Sequence, residues 1–67
     1  MSKAKWYKVR VLDAEGNDIT GGSETQGKAN AIATAKLYLD DHDYKTEVAR
    51  LEVSDPDTGV IEWDWNR

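Results

Sequence analysis

The chain has no cysteine and no phenylalanine, a single proline, a single histidine and no long hydrophobic run. Without thiols, no disulfide can staple the fold and no thiolate can hold a metal or attack a substrate. One histidine cannot supply the two nitrogens common in zinc sites. The serines lie near the terminus (Ser2), at an expected helix start (Ser23) and in a turn (Ser54), none with a histidine in view. Gly21-Gly22 lacks the strand-to-helix context and the downstream Lys-Ser/Thr of a phosphate loop. No cofactor is expected, and a non-enzymatic protein is. Ser2-Lys3-Ala4-Lys5 is polar and leads straight into a strand pattern. That argues against a signal peptide or membrane span and predicts a stand-alone cytoplasmic protein.

What remains is one small domain, residues 1–67. A chain this short buries only about 60% of its unfolded surface, so it has little core to spare. The core must come from aliphatic residues plus Trp6, Tyr7, Tyr38, Tyr44, Trp63 and Trp65.

Residues 6–12 alternate as a strand, with Tyr7, Val9 and Val11 on one face and Trp6, Lys8, Arg10 and Leu12 on the other. Residues 13–18 are turn chemistry, and Ile19-Thr20 predicts a short return strand ended by Gly21-Gly22. Ser23-x-x-Gln26 has the form of a capping box, which predicts a helix over 24–40. Ala31, Ile32, Ala35, Tyr38 and Leu39 form its apolar stripe, continued by His42. Residues 47–53 and 60–65 read as two further strands around a Pro56–Gly59 turn. The predicted fold is α+β: ββαββ, or βαββ if Ile19-Thr20 fails to pair, with one helix packed on an antiparallel sheet.

The last hairpin carries a conflict. Asp55-Pro56-Asp57-Thr58-Gly59 suits a type I turn followed by a glycine bulge, which sets Asp55 opposite Val60. Continued regularly, that register sets Trp63 opposite Glu52 and Trp65 opposite Arg50, away from the helix. A slip of one residue instead places Ile61 and Trp63 with Leu51 and Val53 beneath it. A small core needs the area a tryptophan brings, about 150–250 Å², so burial of Ile61 and Trp63 is expected.

The charge is uneven. Lys3, Lys5, Lys8, Arg10, Lys28 and Lys36 outweigh four acids before residue 40, a balance of +2. Nine acids outweigh Lys45, Arg50 and Arg67 after it, a balance of −6. Asp40, Asp41, Asp43, Asp55, Asp57, Glu62 and Asp64 are therefore candidate partner-binding carboxylates. Arg and Lys clusters that grip phosphates accept carboxylates equally well, so the partner expected is a protein, specifically a nucleic-acid-binding complex. The alternative is an open sheet face of Trp6, Lys8, Arg10, Arg50, Trp63 and Trp65, on which bases would stack. The net charge of −4 opposes direct nucleic-acid binding. Asp40-Asp41-His42-Asp43 holds metal-ligand residue types, but neighbours at a helix end fan outward. Asp13–Glu24 matches the length of a calcium loop, yet position six is Asp18 where glycine is required.

In length, architecture and acidity the chain resembles small phage or mobile-element inhibitors, including anti-CRISPR proteins. Those proteins act by adhering to a larger machine. The resemblance implies an inhibitory, protein-binding role and carries over no individual residue.

Overall fold

The alternation over Trp6–Leu12 produces the strand on which the sheet is built. In the computed structural model, which describes residues 4–67, the elements are β1 (Trp6–Leu12), β2 (Ser23–Gln26), α1 (Lys28–Leu37), β3 (Arg50–Ser54) and β4 (Ile61–Asn66). Met1, Ser2 and Lys3, on which part of the polar-start reading rests, lie outside the described residues. The sheet order is β2-β1-β3-β4 with every neighbour antiparallel. β2 and β3 thus run the same way with β1 between them, and α1 carries the chain across the face. This is the expected ββαββ arrangement of one helix on one antiparallel sheet. Among the described residues no helix is long and apolar enough to cross a membrane.

The second strand forms later than Ile19-Thr20. Ile19 donates its N–H to Val11 O (2.9 Å), but only a single bridge, Leu12 to Asp18, forms there. Asp18 Oδ1 accepts both the N–H and the hydroxyl of Thr20, which bends the chain off β1. Gly21 and Gly22, both at positive φ, turn it back. Ser23–Gln26 then pairs with Val9–Trp6.

The capping box is therefore not used. Ser23 is a strand residue, and Gln26 Nε2 donates to Ala4 O instead of reaching back to Ser23. The helix starts at Lys28, with Gly27 (φ 90°) at its cap and no side-chain cap bond. Pairing the edge of β1 satisfies a row of backbone groups, and that outweighs one local cap. At the other end, Tyr38, Leu39 and Asp40 donate to the carbonyls three residues back (3.1–3.2 Å), so the helix tightens and stops. Ala31 and Ala35 are fully buried; Ile32, Tyr38 and Leu39 pack around them, whereas His42 is exposed rather than on the stripe.

β3 begins at Arg50, not Glu47. The N–H groups of Glu47 and Val48 bond to Tyr44 O, closing a turn that drops Val48 into the core. Val9, Val11, Leu51 and Val53 form the floor of that core, with Ala31 and Ala35 above. Tyr44 meets Tyr38 edge to face, ring centroids 5.2 Å apart.

The hairpin conflict is resolved by meeting both demands. Asp55 N–H donates to Val60 O (2.9 Å) and Gly59 N–H to Asp55 O (2.7 Å), with Gly59 at φ 77°. That is the register the turn chemistry prefers. One step further, Ser54 still faces Ile61, but Val53 faces Trp63 and Leu51 faces Trp65. Glu62 is left over as a bulge. The bulge moves both tryptophans beneath the helix layer, where they are half-buried against the core. Ile61, before the bulge, stays 46% exposed, contrary to the expectation that it is buried with Trp63.

Candidate functional site

The open face of the sheet carries alternating charges, because β1 supplies Lys8 and Arg10 where β3 and β4 supply Glu52 and Asp64. Arg10 lies opposite Glu52, and Glu52 opposite Asp64. Glu52 is buried between two guanidinium groups, at 2.7 Å from Arg50 and 3.7 Å from Arg10. Arg50 also reaches Asp64 (2.9 Å) and Asn66 Oδ1 (2.8 Å). The hydrogen bond to Glu52 pushes the Arg50 pKa up, so this group is charged at every working pH. Two of the face's cations are thus committed to carboxylates in the same sheet.

The structure does not bring the stacking residues of the alternative face together. Trp6, Lys8, Arg10 and Arg50 lie on the open side, but Trp63 and Trp65 lie on the helix side. Lys36 Nζ sits 5.8 Å from the Trp63 ring centroid, and Arg67 Cζ 5.7 Å from that of Trp65. Trp6, 51% exposed, is left as the one aromatic beside Lys8 and Arg10 on the open face.

The candidate carboxylates fall into three places. Asp55 and Asp57 are in the β3–β4 turn, beside the start of β1. Asp55 is buried there. It accepts a hydrogen bond from Lys5 Nζ and another from its own Asp57 N–H (2.9 Å). The Lys5 bond, more than any other contact, holds its carboxyl below the usual carboxylate range, and the same bond raises Lys5. Asp55 is therefore a turn-building residue rather than a docking residue. Asp57 is exposed, 3.8 Å from Lys5. Glu62 and Asp64 lie on the edge strand, paired to Lys28 (3.6 Å) and Arg50.

Asp40, Asp41 and Asp43 lie at the opposite end, because α1 starts beside Lys5 (Gly27 N–H to Lys5 O, 2.7 Å) and runs away from it. Residues 44–49 then fold back against the end of β1, where Ala49 N–H donates to Leu12 O (2.8 Å). Arg67 locks them there through Val48 O (2.8 Å) and Lys45 O (2.7 Å). This brings Thr46 and Glu47 beside the first turn. Together with Asp13, Ala14 and Glu15 they line an open depression of about 300 Å³. Asp13 Oδ1 accepts the N–H groups of Glu15 (3.0 Å) and Asn17 (2.9 Å), which fixes that turn. Asp41 Oδ1 likewise accepts the Asp43 N–H (2.8 Å).

Among the described residues, no ion pair engages Asp13, Glu15, Asp40, Asp41, Asp43 or Glu47. The strand and hairpin-turn carboxylates Glu52, Asp55, Asp57, Glu62 and Asp64 all have cations within 4 Å. Uncompensated negative charge therefore collects at the loop end and not along the hairpin. Asp13, Glu15 and Glu47 carry no sequence signal for this role, since their meeting depends on how β1 pairs with β3. No group of three or more His, Asp or Glu side chains among the described residues is arranged to hold a metal. Comparison with protein-family models, curated proteins and solved structures finds no match to this chain.

Proposed function

We propose that the protein is a non-enzymatic binding module that docks its acidic loop end on a basic surface of a larger protein, as a phage-type inhibitor of a nucleic-acid-handling complex would. The observation that supports this reading is the segregation of charge. Glu52, Asp55, Asp57, Glu62 and Asp64 of the last hairpin are matched by cations within the fold, while Asp13, Glu15, Asp40, Asp41, Asp43 and Glu47 gather without an ion pair at one end. Lys and Arg side chains of a phosphate-gripping groove would meet the same charge there that they meet on a nucleic-acid backbone. The depression between the two turns has room for one such side chain. Binding of this kind is steered by long-range attraction and falls steeply with added salt.

The test is calorimetric titration of a nucleic-acid-binding domain, with and without its nucleic acid, at two salt concentrations. Binding should weaken with salt, compete with nucleic acid and be lost in the Glu15→Lys/Glu47→Lys double variant. Affinity that is unchanged in that variant refutes the loop end as the docking site. The runner-up, direct nucleic-acid binding through Trp6, Lys8 and Arg10, predicts instead a mobility shift at low salt that Arg10→Glu abolishes.

A further inference from the structure

The bulge at Glu62 moves a third side chain besides the two tryptophans. In the regular register set by the turn, Arg67 would fall opposite Val48, on the open face with Arg50. With Glu62 extruded, Arg67 falls opposite Ala49, to whose carbonyl its N–H donates (3.0 Å), and it lies on the helix side with Trp65. Its guanidinium carbon stands 5.7 Å from the Trp65 ring centroid. From there the two ends of the fork reach different carbonyls. Nε donates to Val48 O (2.8 Å) and a terminal nitrogen to Lys45 O (2.7 Å). Among the described residues no other hydrogen bond reaches either carbonyl. Lys45 N–H bonds to Asp41 O and Val48 N–H to Tyr44 O, so this segment winds as short helical turns. Arg67 covers their last carbonyls as a basic side chain covers a helix C-terminus.

Val48 anchors the segment in the core, but Thr46 and Glu47 are exposed, and the Glu47 N–H bonds only to Tyr44 O in the same turn. Among the described residues Arg67 makes no ion pair. An uncompensated cation beside an acidic surface weakens the attraction of that surface for a basic partner. Its charge therefore opposes docking, while its hydrogen bonds build the place where docking occurs. We propose that Arg67 is the positioning residue of the acidic loop end. It holds Thr46 and Glu47 against the Asp13–Glu15 turn, and without its two side-chain bonds that side of the depression opens while the rest of the fold stands. Its part in docking rests on the loop-end reading, whereas its hold on residues 45–48 stands without it.

Position and charge act with opposite sign. Loss of a cation alone strengthens binding of a polycation, and loss of the fork weakens it. The experiment compares the full chain with Arg67→Gln and Arg67→Lys by amide hydrogen exchange, then titrates each with a blocked hexalysine peptide followed by amide NMR. In Arg67→Gln the Glu47 and Val48 amides should exchange about tenfold faster, with Val9, Val11, Leu51 and Val53 unchanged. Hexalysine should still shift Asp13 and Glu15 but no longer Glu47, and it should bind more weakly despite the lost cation. Arg67→Lys keeps the charge but lacks the planar fork that spans two carbonyls three residues apart, so it should resemble Arg67→Gln. Unchanged exchange at Glu47 and Val48 in Arg67→Gln overturns the proposal whatever the peptide does. Full recovery in Arg67→Lys, or tighter hexalysine binding in Arg67→Gln, overturns it too, since either leaves Arg67 only its charge. Equal acceleration across β1 and β3 would make Arg67 a residue of general stability instead. A peptide that shifts none of Asp13, Glu15 and Glu47 in the parent chain, alongside faster local exchange in Arg67→Gln, sinks the docking reading and keeps the hold of Arg67 on the loop.

Discussion

Leu51→Ala is the substitution that most directly tests the packing of this fold. Leu51 is fully buried on the central strand β3, between Val11 of β1 and Trp65 of β4, under the helix layer. Truncating a buried leucine costs about 2–5 kcal/mol, the upper part applying where neighbours cannot move in. Here the fully buried residues of the helix above are Ala31 and Ala35, whose methyl groups are too short to fill the gap, and the bulged strand holds Trp65 beside Arg67. The site collapses poorly, so about 3–4 kcal/mol is expected. Set against a total of about 3–10 kcal/mol for 67 residues, that removes a third or more of the stability. In urea unfolding followed by tryptophan fluorescence, with a slope of about 1 kcal/mol per molar, the midpoint falls by about 3 M. Leu37→Ala is the control. Leu37 is 70% exposed on the outer face of the same helix and should move stability by no more than about 0.5 kcal/mol. A loss below about 1 kcal/mol for Leu51→Ala, or equal losses for the two variants, would refute the placement of the helix over Leu51.

Other consequences follow from the turn and the tryptophans. Asp55, whose carboxyl is depressed in the fold, stabilises above its unfolded value near ~3.9. That contribution disappears as pH falls through the folded value, so Asp55→Asn should lower stability at neutral pH and flatten the acid limb of urea midpoints against pH. Lys5, raised by the same bond, stabilises fully below its unfolded value near ~10.4 and loses that contribution as pH rises through its folded value. Gly59→Ala should destabilise by about 1–2 kcal/mol in the same unfolding assay. Nothing lies within 4 Å of the added methyl, so the loss comes from the positive φ alone, and Gly59→Asn should lose less. Acrylamide quenching of single-tryptophan variants should be strong for Trp6 and clearly weaker for Trp63 and Trp65. Equal quenching of Trp6 and Trp63 would place Trp63 on the open face after all.

The sites were less legible than the fold. The charge imbalance between the two halves was visible in the sequence, but each carboxylate's condition was not. Asp55 and Asp57 looked alike, yet one is buried against Lys5 and the other exposed. Their difference arises because β1 begins beside that turn, a contact between residues fifty positions apart. Asp13 and Glu15 read as turn residues and Glu47 as the start of a strand, and only the pairing of β1 with β3 sets them around one depression.

Local chemistry was enough to determine the strands around Val9, Leu51 and Trp63, the single Ala-rich helix and the Asp55–Gly59 turn, because alternation, helical spacing and positive-φ glycine act over a few residues. It could not decide between competing local signals. Ser23-x-x-Gln26 offers a good cap, but β1 lacks a partner on that side, and satisfying its backbone drew Ser23–Gln26 into the sheet. In the last hairpin the turn demanded one register and the core another. The tertiary structure met both by extruding Glu62 as a bulge, since the apolar surface of Trp63 and Trp65 is worth more against Val53 and Leu51 than one regular step of strand pairing.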